Sequence, residues 1–505
     1  MNLLDPESRW IPVRANDGSG PFRLVTYREL LCEPDVTWRV SLPRDDLELA
    51  CIQLLVCMTQ VMFLPEDNKT LRARLKTPLT AADFEAGIAP CRDWFDLNHP
   101  TQPFMQTRGV ACKEATPIQK LLIGLPEGNN HCFFNQTGEV AVLSAPLAAI
   151  ALFHQASNCP SFGGGFKGGL RGIAPITTLV DGANLREQVW RNCLTAKCIS
   201  DFLPGWTHDH AQDRPTWVDP IKAGQTIYPL TQIGLTRGLF WQPAHVELVQ
   251  APKSGPCDLL GIDAGARYTG FRKEKFNFTL EGTWPHPHGA LSILIKKGQR
   301  ESKFASFTTE APAWTRLTEL VVQKPPVGGE GRRPAPVIVQ ARAALSIQPL
   351  HLLVGGYRNK QASVLERRHE LIVLGQGWDD QEGCLECLVD IGLKAKKALR
   401  GKLYFAAQGH KEKKLPGIGT PIHETGERMY YARTERLIID TFSADATFDQ
   451  WKLRLAEYSA DLAATCLKIF NDLTEPYATK PELIPIIAWA RRSLDADLNR
   501  LKEGK

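Results

Sequence analysis

Seven apolar residues near the C-terminus, Trp451, Leu455, Tyr458, Leu462, Cys466, Ile469 and Leu473, are spaced 4, 3, 4, 4, 3 and 4 apart. That period lines one face of an α-helix and fits no β-strand, so the segment has a long stripe to bury against partner helices. Leu483, Ile487, Ala490, Leu494, Leu498 and Leu501 repeat the pattern, and Cys384, Leu388, Ile391, Ala395, Ala398 and Phe405 nearly do, with Lys402 interrupting. A weaker helical candidate at 424–442 brings the tally to four, and short polar connections between amphipathic helices favour an antiparallel four-helix bundle. The texture changes after Gly377. The sequence therefore predicts a second domain over 379–505.

Residues 1–378 read differently. Short β-like runs (Glu139–Leu143, Ala290–Ile295, Leu371–Leu374) mix with helical stretches (Asp45–Phe63, Leu147–Gln155), separated by blocks rich in Gly, Pro and Asn. No regular strand–helix alternation announces a doubly wound sheet, and there is no internal repeat. The expected class is α+β: a large irregular mixed α/β N-terminal domain followed by the C-terminal bundle. Lys324–Pro336 has 7 Pro or Gly among 13 residues and predicts an exposed, mobile loop.

Composition narrows the function. Lys and Arg exceed Asp and Glu by only 5 across 505 residues, so any nucleic-acid partner is held by a local patch. One such patch is Asp390–Lys414, with eight Lys or Arg against two acidic residues. It fits either a solvated helix face or a phosphate-facing surface. The longest apolar stretch, Val140–Phe153, is 14 residues with Pro146 inside it, short of the roughly 20 that a membrane-spanning helix needs. The N-terminus has none of the marks of a secretory signal, so a cytoplasmic protein without a membrane partner is expected. The 13 scattered cysteines suggest reduced core residues.

Several motifs fail for stated reasons. Gly163–Gly168 formally satisfies G-x-G-x-x-G, with Asp181 lying 18 residues after Gly163. A dinucleotide site needs a strand immediately before and a helix immediately after, whereas here Ser157-Asn158-Cys159-Pro160 precedes and Arg171-Gly172-Ile173-Ala174-Pro175 follows. A nucleotide- or NAD-binding enzyme built on this loop is the competing reading. Cys384-x-x-Cys387 lacks a second pair, and Trp284–His288 (WPHPH) places two histidines in a stiff turn where packing is the commoner use. With no nucleophile elbow and no acidic cluster, the expectation is a non-enzyme with no catalytic residues, no metal and no cofactor.

Three polar segments and the glycine loop remain. Arg267–Phe276 (RYTGFRKEKF) interleaves cations with aromatics; as a strand it would put Arg267, Lys273 and Lys275 on one face, and a charge-protected edge strand is the bland alternative. Gly355–Gln361 suggests a tight loop or hairpin with a polar tip. Phe133 and Phe134 stand beside Asn135 and Gln136, where exposed aromatics stack on bases and tucked ones pack inward. The glycine loop, flanked by Lys167 and Arg171, is free of side chains and lets backbone approach a nucleic acid.

These segments belong to a wider pattern. WIPV (Trp10–Val13), SLPRDD (Ser41–Asp46), LNHP with PFMQT (Leu97–Thr107), FGGGFKGGLRG (Phe162–Gly172), RGLFWQPAH (Arg237–His245), RYTGFRKEKF, WPHPH, and GGYRNKQAS with LERRH (Gly355–His369) occur in order. The chain strongly resembles the CasA family, the large subunit of the type I-E CRISPR surveillance complex Cascade. The resemblance implies a non-catalytic subunit that reads the short motif beside the target, the PAM, from the minor groove of double-stranded DNA, opens the duplex and docks a helicase-nuclease. It places a glycine loop at Gly163 and Gly164, a lysine finger at Lys275, and a glutamine wedge at Gln361 with Ala362. It makes Phe133, Phe134, Asn135 and Gln136 a loop meeting guide RNA and neighbouring subunits. Lys167, Arg171, Lys273, Lys360, Lys394, Lys396, Lys397 and Arg400 are then candidate phosphate contacts. Ser161 and Lys360 stand where a well-known relative carries glycine and asparagine, so the accepted motif set is expected to differ, and that relative's cysteine-rich knuckle is reduced here to Cys257.

Overall fold

The structure, a computed structural model, describes residues 1–125, 138–253, 255–296, 298–360, 363–377, 383–445 and 448–502. The chain divides into two compact units. The first comprises Met1–Glu310, Glu319–Ile347 and His351–Leu371; the second comprises Ala311–Thr318, Gln348–Leu350 and Ile372–Lys505.

The first unit is built around the Asp45–Met62 helix, which is buried on nearly every face. Its amphipathic pattern is therefore lost from the sequence, and its few polar side chains must find partners inside. Gln60 grips the backbone of Leu194 with both ends of its amide, Thr59 Oγ1 meets Tyr27 Oη at 2.8 Å, and Gln53 Nε2 meets His288 Nδ1 at 3.2 Å. Asp45, Asp46 and Glu48 occupy the first turn, where the helix dipole favours acid, and Glu48 accepts from the Leu42 amide. The Ala145–Ser157 helix packs against it and is equally buried, with Pro146 tolerated in its first turn. No described helix is long and apolar enough to cross a membrane.

Around these helices lie small sheets. Leu350–Lys360 is the middle strand of one, between Ser363–Leu374 and Thr177–Val180. Of the Gly355–Gln361 segment, expected as a tight loop or hairpin, residues 355–360 run through the end of this strand next to its neighbour Ser363–Leu374, with Gly355 and Gly356 inside the strand and not in a turn. A Cβ at Gly355 would collide with Leu49 of the central helix, and one at Gly356 would crowd Pro175. They serve close packing. Lys324–Pro336 likewise departs from the expected loop: Glu330–Arg333 pairs antiparallel with Leu291–Lys296, and the prolines flank this strand without entering it. Both histidines of WPHPH are buried, the His288 amide donating to His286 Nδ1 at 3.0 Å.

The second unit contains helices Cys384–Gln408, Ile422–Ser443, Phe448–Thr474 and Ile484–Lys502. The buried stripe of the first keeps Cys384, Leu388 and Ala395 of the expected one and continues through Gly392, Leu399, Leu403 and Ala406, while Ile391, Ala398 and Phe405 are only half-buried beside it and Lys402 lies off it. Gly392 was invisible to an apolar tally; it leaves room for Trp314 and Tyr458, and its carbonyl accepts from Tyr430 Oη at 2.7 Å. In the last helix Ile486, not Ile487, faces the core.

Candidate nucleic-acid interface

The glycine loop follows the Ala145–Ser157 helix. Gly163, Gly164 and Gly165 have φ of +77°, +55° and +87°, the left-handed region. There a side chain costs about 1–2 kcal/mol per residue. Phe166 N–H donates to the Gly163 carbonyl at 3.0 Å to close the turn, and Gly164 and Gly165 are exposed. Two aromatics hold the loop down: Phe162 packs edge-on to Phe166 and against Phe271, both at 5.5 Å between centroids.

Phe271 belongs to the strand Arg267–Glu274, which is interior and not an edge. It pairs with His245–Gln250 on one side and with Thr116–Pro117 and Leu143–Ser144 on the other. A register shift at Val249/Gln250 leaves Thr269 unpaired and breaks the period of two. The expected common face of Arg267, Lys273 and Lys275 is therefore not formed. Arg267 donates instead to the carbonyls of Lys253 and Pro256. Lys273 lies 4.9 Å over the Phe162 ring. Lys275, exposed just past the strand, donates from Nζ to the Gly164 carbonyl at 3.2 Å.

The loop is not a dinucleotide cradle. A helix precedes it, and the Gly169–Gly172 bridge and Thr177–Val180 strand follow, so its amides head no helix. Arg171 is corrected as well. It is 4% exposed, and its guanidinium donates inward from both Nη atoms, to Thr177 Oγ1, the Ser157 carbonyl and Asn158 Oδ1, while Nε is buried, so burial keeps it from an external phosphate. Lys167 and Lys360 are exposed.

Beneath the loop lies a buried polar cluster. Arg44 grips Asp46 through Nε (3.0 Å) and Nη2 (2.6 Å) and also donates to the Ile123 carbonyl at 2.6 Å. Tyr357 Oη donates to Asp46 Oδ2 at 2.7 Å and lies 2.5 Å from His154 Nε2. Burial favours the neutral acid at Asp46, but His154, Arg44 and the hydrogen bonds outweigh it and hold its pKa below the usual carboxylate range. Burial lowers His154 to about 4.

In the helical unit, Lys394 pairs with Asp390, and Lys396 and Arg400 share Glu427 at 2.9 and 2.8 Å. Lys397 is exposed. It lines a groove of about 340 Å³ with Lys394, Lys402 and Arg500, the last two reaching Asp497. Half-exposed pairs of this kind are worth about 0–1 kcal/mol. Among the described residues no group of three or more His, Cys, Asp or Glu is placed to hold a metal ion.

Residues 2–469 match the family model of CRISPR-associated protein Cse1. The chain belongs to the Cse1 family. A curated relative, the CRISPR-associated protein CasA/Cse1 of Thermus thermophilus, is 32% identical over 165 residues, a stretch spanning 31% of this chain and 31% of the relative. The crystal structure of Thermobifida fusca Cse1 superposes with a TM-score of 0.75 at 18% identity, covering 100% of this chain and 98% of that one. A chain of a CRISPR RNA-guided surveillance complex superposes with a TM-score of 0.68 at 16% identity, covering 98% and 99%. The Cse1 fold is thus shared over nearly the whole length.

Of the site residues expected in this Cse1 chain, Gly163, Gly164 and Lys275 come together. Gln361 and Ala362, between the strands ending at Lys360 and starting at Ser363, lie outside the described residues, as do Phe133, Phe134, Asn135 and Gln136. Sequence reasoning missed Phe162 and Phe166 as anchors and missed the Asp46–His154–Tyr357 cluster, whose members lie up to 311 residues apart. The signal for the anchors was present in FGGGF, where aromatics bracket three glycines.

Proposed function

We propose that this chain is the non-catalytic target-recognition subunit of a type I-E CRISPR surveillance complex. It assembles with guide RNA and the other Cascade subunits, reads the PAM from the minor groove of double-stranded target DNA, wedges the duplex open and docks the helicase-nuclease. The observation that carries this reading is the contact of Lys275 Nζ with the Gly164 carbonyl, which unites a side-chain-free backbone loop and a cation in one exposed element. A minor groove about 6 Å wide admits such a loop, and its purine N3 and pyrimidine O2 acceptors suit a lysine donor. Because that pattern is degenerate, a permissive motif set follows. Lys167, Lys273 and Lys360, with Lys394, Lys396, Lys397 and Arg400 on the helical unit, are proposed phosphate contacts, and residues 133–136 a guide-RNA and subunit contact.

Two substitutions test this. Lys275→Ala is expected to cost about 1–3 kcal/mol in discrimination between motifs, read as binding of the assembled complex across a motif library; an unchanged preference rejects the lysine's role. Gln361→Ala is expected to slow R-loop formation more than it weakens first contact, because unstacking the first base pair costs a few kcal/mol that the wedge offsets. Equal R-loop rates reject the wedge.

A further inference from the structure

The buried cluster has a direction. If Tyr357 donates to Asp46, it accepts from His154 Nε2–H, which leaves His154 Nδ1 to accept from Asn158 Nδ2 at 3.3 Å, while Asn158 Oδ1 accepts from Arg171. Every donor from Arg171 onward points toward Asp46, and Arg44 closes the chain from the other side onto Asp46 and Ile123. All six side chains are at most 8% exposed. Each satisfied bond fixes its neighbour's role, and a protonated His154 would face the Asn158 amide with two donors.

The chain of bonds joins separate segments. Asn158 and Arg171 bracket the glycine loop, Tyr357 lies on the Leu350–Lys360 strand, and Ile123 lies shortly before the undescribed 126–137 stretch. A small apolar cluster repeats the junction: Cys159, Ala174 and Tyr357, with Ile123 and Val364 packed against them. Two independent sets of contacts thus fasten the glycine loop to the strand that leads to Gln361.

We infer that the Tyr357 hydroxyl, with His154, is a positioning group that locks the glycine loop and the Leu350–Lys360 strand into one rigid body, so that motif contact is transmitted to duplex opening. The inference rests on the proposed target-recognition role. Tyr357→Phe keeps the ring in its apolar cluster and leaves Asp46 both bonds from Arg44, so the fold is retained. His154→Gln keeps a donor and an acceptor in place.

The test uses the guide-loaded complex assembled with the full chain. R-loop formation is timed at saturating complex on a motif-bearing duplex, beside initial binding and the melting temperature of the chain. Tyr357→Phe is expected to slow opening at least about fivefold with initial binding within about twofold of the parent. His154→Gln is expected to open nearly as fast as the parent, and His154→Phe as slowly as Tyr357→Phe. An unchanged opening rate in Tyr357→Phe overturns the inference. So does a parallel fall of binding, opening and melting temperature, which marks the cluster as structural only. Lys275→Ala, run alongside, separates the two levels: motif preference lost there with opening intact in Tyr357→Phe rejects the positioning role and leaves the recognition role standing.

Discussion

Acidification from pH 7 to pH 5 is expected to bring the larger unit close to unfolding. Three of its histidines, His154, His286 and His288, are buried neutral, with burial lowering His154 to about 4, His288 to about 3, and His286 well below its ordinary value. In the unfolded chain each titrates near 6.5. Between the two values the unfolded state binds the proton and the folded state does not, so stability is lost as pH falls below about 6.5 and goes on falling to about pH 4 or 3. At pH 5 His154 and His288 each remove about 2 kcal/mol, and His286 adds to the loss in the same direction. Together they approach the 5–15 kcal/mol that typically separates folded from unfolded. Thermal melts of the isolated chain between pH 8 and pH 5 should show a steep decline beginning near pH 6.5, flattened in His154→Gln and His288→Gln. A melting temperature that holds steady down to pH 5 contradicts the burial of these three rings as neutral groups.

Gly165→Val is expected to abolish motif-dependent DNA binding while leaving the fold standing. The residue sits at φ +87° with open space except for the Lys275 side chain, whose Nζ lies 3.5 Å from where a Cβ would be. A β-branched side chain there strains the turn by about 1–2 kcal/mol, adds bulk at the surface proposed to enter the minor groove, and displaces the lysine from Gly164. Each base pair read is worth about 1–3 kcal/mol, so binding to a motif-bearing duplex should fall by at least about 2 kcal/mol, some thirtyfold, toward that of a motif-free duplex. Titration of both duplexes with parent and variant complexes gives the comparison. A preserved difference between them removes the loop from motif reading.

Legibility in the sequence followed physical cause. The bundle was readable because its helices are half-buried and their stripes keep the 3.6 period, and even there Gly392 and Ile486 shifted the register by using a small residue and an adjacent isoleucine. The Asp45–Met62 helix was legible as a helix, but it carries no amphipathic stripe because it is buried on nearly every face, so its central place in the core was not legible. The Glu330–Arg333 strand was masked by the prolines beside it, and Gly355-Gly356 by glycine's ordinary association with turns. At the site, glycines and cations stand out in composition. The bulge at Thr269 and the burial of Arg171 do not, since both depend on strand register and on neighbours distant in sequence. The Tyr357 cluster is the extreme case, assembled by tertiary contact from residues with no local signature.

The most direct measurement is binding of a guide-loaded complex, with and without this chain, to target duplexes that carry or lack a candidate motif, at two salt concentrations. Motif-dependent affinity is expected only when the chain is present, and it should weaken as salt rises, through release of phosphate counterions. Affinity that shows no motif dependence across a full library, with the chain assembled in the complex, would contradict the proposed role.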